Sequence, residues 1–270
     1  MTTHIPACII DIEGTVGAGK SSFVDATLAY AERLFGPEAK LIVIKESVYF
    51  PFLDRCLRDP KRMALPFQVC MARDRIETMR TAVRYYNRGF IVLIDRGLPG
   101  DIAFARHHQR SGNIDLSGMG IYFGLLSHAV PYFVPDSMLA TAPVPEGEPS
   151  VIKVASNVEL ADETEFDPAR LVVLYLRAEP AVAFGRMQKR AIKEELDGYT
   201  MEYFEQLGEV YDDVIDHFRA SWSDDRVVTV DYDDDQPMTD GRLAFESCAA
   251  VWKRAAAAVL APGSQSNGVH

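Results

Sequence analysis

The stretch IEGTVGAGKSSF, Ile12 to Phe23, stands directly behind the apolar run ACIID and ahead of a helical pattern. Gly14, Gly19, Lys20 and Ser21 match G-x-x-x-x-G-K-[ST], the signature of a strand–loop–helix unit whose backbone N–H groups curl around phosphate oxygens. Glycines permit the curl, the helix N-terminus adds partial positive charge, the lysine reaches the outer phosphates, and the serine hydroxyl can ligate Mg²⁺. The expected phosphate contacts are Gly14, Thr15, Val16, Gly17, Ala18, Gly19, Lys20, Ser21 and Ser22. The expected occupant is ATP or another nucleoside triphosphate as phosphate donor, with Mg²⁺.

The rest of the chain follows the rhythm this motif demands. KLIVIKES, FIVLIDRG, LVVLYLRAEP and DRVVTVDYDDD read as further strands, and LPFQVCMARDRIETMRTAVRYYNRG as a helix ended by Gly89. Continuous apolar strands alternating with helices imply an α/β fold, a parallel sheet covered by helices on both faces. Ligands bind such sheets at the carboxyl ends of the strands, which singles out Glu46, Asp95 and Arg96. The 270 residues suit one large domain, expected over 1–261. A Pro- and Glu-rich loop or hairpin, with one strand-like segment SVIKVAS, is expected as an insertion at about 130–168, and a disordered tail at 262–270.

Bulk properties remove other classes. A net charge of −11 argues against nucleic acid or anionic membranes as general partners, while leaving room for a local basic pocket. Four cysteines without metal-ligand spacing read as reduced thiols. His107 and His108 read as an exposed pair on a polar helix, and no zinc site is expected. No run reaches membrane-spanning length and the start lacks signal-peptide features, so a cytoplasmic protein is expected.

The chemistry-bearing residues suggest a phosphoryl transfer. Asp95 can join Ser21 at Mg²⁺, Arg96 can stabilise charge on the moving group, and Glu46 can take the proton of an attacking hydroxyl. Gln68, Met71 and Arg75 fall at i, i+3 and i+7 and share one helix face, while Arg73, Glu77 and Arg80 share a solvated one. Further on, Arg186, Arg190 and Lys193 fall at i, i+4 and i+7, a single cationic edge that a phosphate loop earlier in the chain makes a candidate for function.

These residues resemble the deoxynucleoside kinase family, of deoxycytidine and deoxyguanosine kinase type and more distantly the herpesvirus thymidine kinases. IEGTVGAGKSSF looks like its phosphate loop, KES and DRG fit its strand-end Glu and its acidic-Arg motif, PFQVCMARDR resembles its base-binding helix, and GRMQKRAIKEELDGYTMEYFEQL its arginine-rich lid. The resemblance implies a nucleoside kinase and a homodimer packed through helices. It makes Glu46 the general base, puts Arg96 near the 5′-oxygen and Asp95 near Mg²⁺, and turns Arg186 and Arg190 to the donor phosphates. It places Gln68 at the base edge and Glu195 at the sugar 3′-hydroxyl, and pairs Arg75 with Asp101, a charge pattern favouring deoxycytidine or deoxypurines over thymidine. Asp101 can alternatively cap its helix, and Phe104 can stack on the base or sit in the core. Leu57 falls where a Tyr is usual, Pro51 where an aromatic is usual, Ile192 replaces a lid arginine, and Gly97 replaces Ser or His.

Overall fold

A computed structural model describes residues 6–129, 133, 166–222, 224–233 and 241–260. Its centre is a five-stranded parallel sheet in the order β2-β3-β1-β4-β5. The strands are β1 (Cys8–Glu13), β2 (Leu41–Ile44), β3 (Ile91–Asp95), β4 (Leu171–Arg177) and β5 (Val227–Asp231). The inner strands β3 and β4 read as nearly continuous apolar runs because helices cover both of their faces; β1 is apolar but for Asp11 and Glu13. The edge strands β2 and β5 are only half-buried.

Alternation along β1 divides the molecule. Cys8, Ile10 and Ile12 point to one layer, with α1 (Lys20–Ala29), α2 (Ala31–Phe35) and the last helix, α10 (Gly241–Leu260). Ile9 points to the other, with α3 (Phe50–Arg58), α4 (Pro60–Tyr86), α5 (Leu98–Arg110), α6 (Leu116–Ala129) and α9 (Met201–Trp222). Asp11 and Glu13 share the face of Ile9, by the two-residue period of a strand. Between β4 and α9 lie α7 (Pro180–Arg190) and the short α8 (Lys193–Gly198), packed on the phosphate loop through Ala18, Ala183, Met187 and Tyr199.

Three expectations need correction. The lid edge is not one helix: Ala191 takes a left-handed conformation (φ 56°) and closes α7, so Lys193 starts a new helix and leaves the line of Arg186 and Arg190. His107 and His108 are buried, because α5 lies under α9 and not in solvent. Asp101 does not cap α5, which starts at Leu98 behind Gly97. Nearly all of the 130–168 insertion, with SVIKVAS, and the 262–270 tail lie outside the described residues. At the insertion's edges, Phe133 and Phe166 stack at 5.1 Å and Phe166 meets Tyr86 in α4.

Candidate active site

The phosphate loop runs from the end of the central strand into α1. Gly14, Gly17 and Gly19 all have positive φ (155°, 75° and 97°), the conformations for which glycine is permissive. Gly17 has a second reason: a Cβ there would stand 2.1 Å from the carbonyl oxygen of Ala183 in α7. Lys20 is buried and donates to the carbonyls of Gly14 (2.9 Å) and Thr15 (3.1 Å). Burial and the neighbouring Arg96 lower it to about 8, against the pull of Glu46, Asp95 and Glu13. The Thr15 hydroxyl is buried without a partner, as expected of a loop shaped to hold phosphate oxygens. Ser22 is exposed and is not among the residues that line the cavity.

Ser21 and Asp95, distant in sequence, meet here. Ser21 Oγ donates to Asp95 Oδ2 at 3.0 Å, and Asp95 Oδ1 is buried with no partner. A hydroxyl and a carboxylate with a spare oxygen form a hard-oxygen donor set that fits Mg²⁺, which takes one or two protein ligands and fills its shell with water and phosphate.

Beside the loop, Glu46 follows β2 and accepts from two arginines: Arg75 Nη2 at 2.6 Å and Arg96 Nε at 2.9 Å. Burial alone would raise the Glu46 carboxyl, but Arg96, Arg75 and Lys20 outweigh it and bring it to about 2. Glu46 is therefore ionised and oriented. Arg96 has a left-handed backbone (φ 70°), uncommon outside glycine and held only where surroundings over-determine it. Its guanidinium lies over the Phe104 ring at 5.0 Å and donates to the Tyr211 hydroxyl.

From there a cavity of about 300 Å³ runs on to Gln68, Met71, Arg75, Asp101 and Phe104, with Lys20, Ser21, Asp95 and Arg96 also in its wall. The shared face of Gln68, Met71 and Arg75 is buried and turned to this cavity. Gln68 Oε1 and Arg75 Nε have no partners, so hydrogen-bonding capacity is left for a ligand. Arg75 is not bonded to Asp101 as the pairing implied; it bonds Glu46, and Asp101 Oδ2 accepts from the Tyr122 hydroxyl at 2.6 Å. Burial pushes Asp101 up to about 6, opposed by Arg75 and by that hydrogen bond. Phe104 lines the cavity with its edge against Tyr211.

The lid arginines divide. Arg186 donates to the carbonyls of Ala18 (3.3 Å) and Tyr232 (2.8 Å), at the phosphate loop. Arg190 instead grips both oxygens of Glu195 (2.7 and 2.5 Å), so an arginine expected at the donor phosphates is bound to the carboxylate expected at the sugar. Arg190 and Glu195 line the cavity.

Several lining residues escaped the sequence. Tyr199 and Tyr203 reach the wall from the turn after α8 and the start of α9, beside Leu57, whose side chain would lie 2.5 Å from a Cβ on Gly198. Cys56 and His108 also line it, Sγ and Nε2 being 3.9 Å apart. Burial and His107 lower His108 to about 4, so it faces the cavity neutral. Phe50 lines the wall and its neighbour Pro51 is exposed. Tyr232, just past β5, is buried against Gly19 and Phe23.

Comparison with known proteins now bears on this geometry. Residues 10–139 match the family model described as deoxynucleoside kinase. The matched family is that of the deoxynucleoside kinases. The match takes in β1 from Ile10, the phosphate loop, Glu46, α4, the Asp95–Arg96 turn and α5. Among solved structures, deoxyadenosine kinase from M. mycoides with bound dCTP superposes with a TM-score of 0.58 at 22% identity, over 90% of this chain and 99% of that one. The same protein with bound dATP gives 0.58 and 22%, over 88% and 98%. With its products dCMP and a flexible dCDP it gives 0.57 and 21%, over 91% and 96%. No curated protein matches the sequence. The chain is a kinase with the fold of these nucleoside-phosphorylating enzymes.

Proposed function

We propose that this kinase transfers the γ-phosphoryl group of ATP, or of another nucleoside triphosphate, to the 5′-hydroxyl of a 2′-deoxynucleoside. The observation that carries this reading is Glu46. It is ionised, held between Arg75 and Arg96, and placed in one cavity between the Lys20 loop and the Gln68 helix face. A nucleoside seated against Gln68 shares one cavity with Glu46 and the loop, which puts its hydroxyl within the same space as the Glu46 carboxylate. Glu46 aligns that hydroxyl and takes its proton as the O–P bond forms; a carboxylate this acidic serves better as an orienter than as a strong base, which suits a loose transition state. Arg96, Lys20 and Arg186 then face the charge on the moving group, and α7–α8 exclude water. Ser21 and Asp95 would hold Mg²⁺, which supplies charge neutralisation on the phosphates.

At the acceptor end, the free Gln68 Oε1 and the charged Arg75 and Asp101 favour deoxycytidine or a deoxypurine over thymidine, whose methyl would leave them unsatisfied. Tyr199, Tyr203 and Glu195 are the groups near Leu57 able to hold the sugar 3′-hydroxyl. We further propose a single domain over 1–261, a cytoplasmic location, and a homodimer. The alternatives are a nucleoside-monophosphate kinase and a P-loop module that binds without transfer.

A Mg-ATP panel of the four deoxynucleosides and their monophosphates, with wild type and Glu46→Gln, separates these. Transfer to nucleosides, reduced about 10²- to 10⁴-fold by the substitution, is the expected result. Transfer to monophosphates alone, or thymidine with the highest kcat/KM, overturns the activity or the preference respectively.

A further inference from the structure

The mechanism leaves two buried acids unused. Asp11 and Glu13 are 2% and 0% exposed and project from β1 into the layer under the Arg96–Gly100 turn. Glu13 Oε1 accepts from the backbone N–H groups of Gly97 (3.0 Å) and Gly100 (2.9 Å). The Tyr211 hydroxyl donates to Glu13 Oε2 (3.4 Å) and accepts from Arg96 Nη1. Two glycines are moulded to the acids: a Cβ on Gly97 would lie 2.1 Å from Asp11 Oδ2, and one on Gly100 2.4 Å from Glu13 Oε2. The departure from Ser or His in the D-R-G motif thus has a physical cause, since the Asp11 carboxyl fills that side chain's space.

We infer that Asp11 and Glu13 are positioning residues that seat Arg96, Glu13 anchoring its left-handed turn and its Tyr211 support, and Asp11 filling the space under Gly97. The inference rests on the kinase reading only for the task it gives Arg96. Without the seat, the Arg96 N–H keeps its bond to the Ile12 carbonyl (3.1 Å), but the turn loses its anchors at Gly97 and Gly100, and the guanidinium is placed by Glu46, Phe104 and a Tyr211 without its carboxylate partner. The charges around the pair fit this role. Arg96, Lys20 and Arg75 face it from three elements, and Tyr175 and Asp101 from two more. Burial raises both carboxyls, and the neighbouring Glu13 raises Asp11 further.

Three measurements test the seat. Glu13→Gln and Tyr211→Phe are expected to lower kcat about 10- to 100-fold with the nucleoside KM nearly unchanged, because ground-state binding does not need Arg96 in register. The Arg96 Nε–H signal in NMR, slowed in exchange by its bond to Glu46, is expected to broaden or vanish in both variants. Gly97→Ala is expected to lower Tm, and adding Asp11→Ala to restore most of it, a coupling only direct contact produces. The NMR and melting arms need no turnover, so they decide the seat even where every nucleoside proves inert, a result that would count against the kinase reading alone. An unchanged Arg96 signal, additive Tm losses, or a rise in KM with kcat intact would each overturn the inference.

Discussion

The two ends of the cavity are built by different means. The phosphate end is mostly backbone: three glycines at positive φ, a helix N-terminus, and a lysine folded back onto the loop's own carbonyls. The acceptor end is mostly side chain, drawn from α3, α4, α5, α8 and α9, with Gln68 Oε1 and Arg75 Nε left open. A backbone cradle recognises what every triphosphate has in common, whereas a wall of side chains can be altered one residue at a time. The donor half should therefore fail as a unit when its backbone is disturbed, and the acceptor half should change selectivity by degrees.

The largest test of that contrast after Glu46→Gln is Gly17→Ala. It adds a Cβ at φ 75° against the Ala183 carbonyl, so loop or lid must move, and a displacement near 1 Å costs about 100-fold in rate. We expect kcat to fall by that order for every nucleoside alike. A loss confined to one base would break the division between the two ends. Gln68→Leu is the matching change at the other end. Removing one buried hydrogen-bonding partner costs about 1–3 kcal/mol, roughly 5- to 150-fold, and the loss should appear in nucleoside kcat/KM with the ATP KM unchanged. Unequal losses among the four bases would identify the one that Gln68 reads.

The same division explains what the sequence made legible. A backbone cradle is written locally, so Gly14 to Ser22, β1 and α1 were all readable from one stretch, and strand ends led to Glu46, Asp95 and Arg96. Helical spacing found Gln68, Met71 and Arg75 because one long helix carries all three. It failed at Lys193, where the left-handed Ala191 breaks the helix with a residue that carries no warning. Nor could spacing show His108 or Tyr203 at the cavity, since that depends on α9 crossing α5 about a hundred residues later in the chain. Asp11 and Glu13 were missed for a plainer reason: acids inside an apolar strand look like its polar end until the turn they support is seen.

The smallest expected effect sharpens the comparison most, because it separates a selectivity group from a structural one. Asp101 titrates at about 6 in the folded chain against an ordinary value of 3.8. Its pKa is raised, so its contribution to stability is present below 3.8 and is lost as pH rises through about 6; above that, the fold carries a buried charge. Asp101→Asn removes this titration while keeping a partner for the Tyr122 hydroxyl. Between pH 5 and pH 8 the variant should gain about 1 kcal/mol relative to wild type, a relative rise in Tm of about 2–4 °C. The same variant should lose part of its preference among bases. A Tm difference independent of pH would mean that Asp101 is already satisfied in the free protein, and the open polarity of the acceptor end would then rest on Gln68 and Arg75 alone.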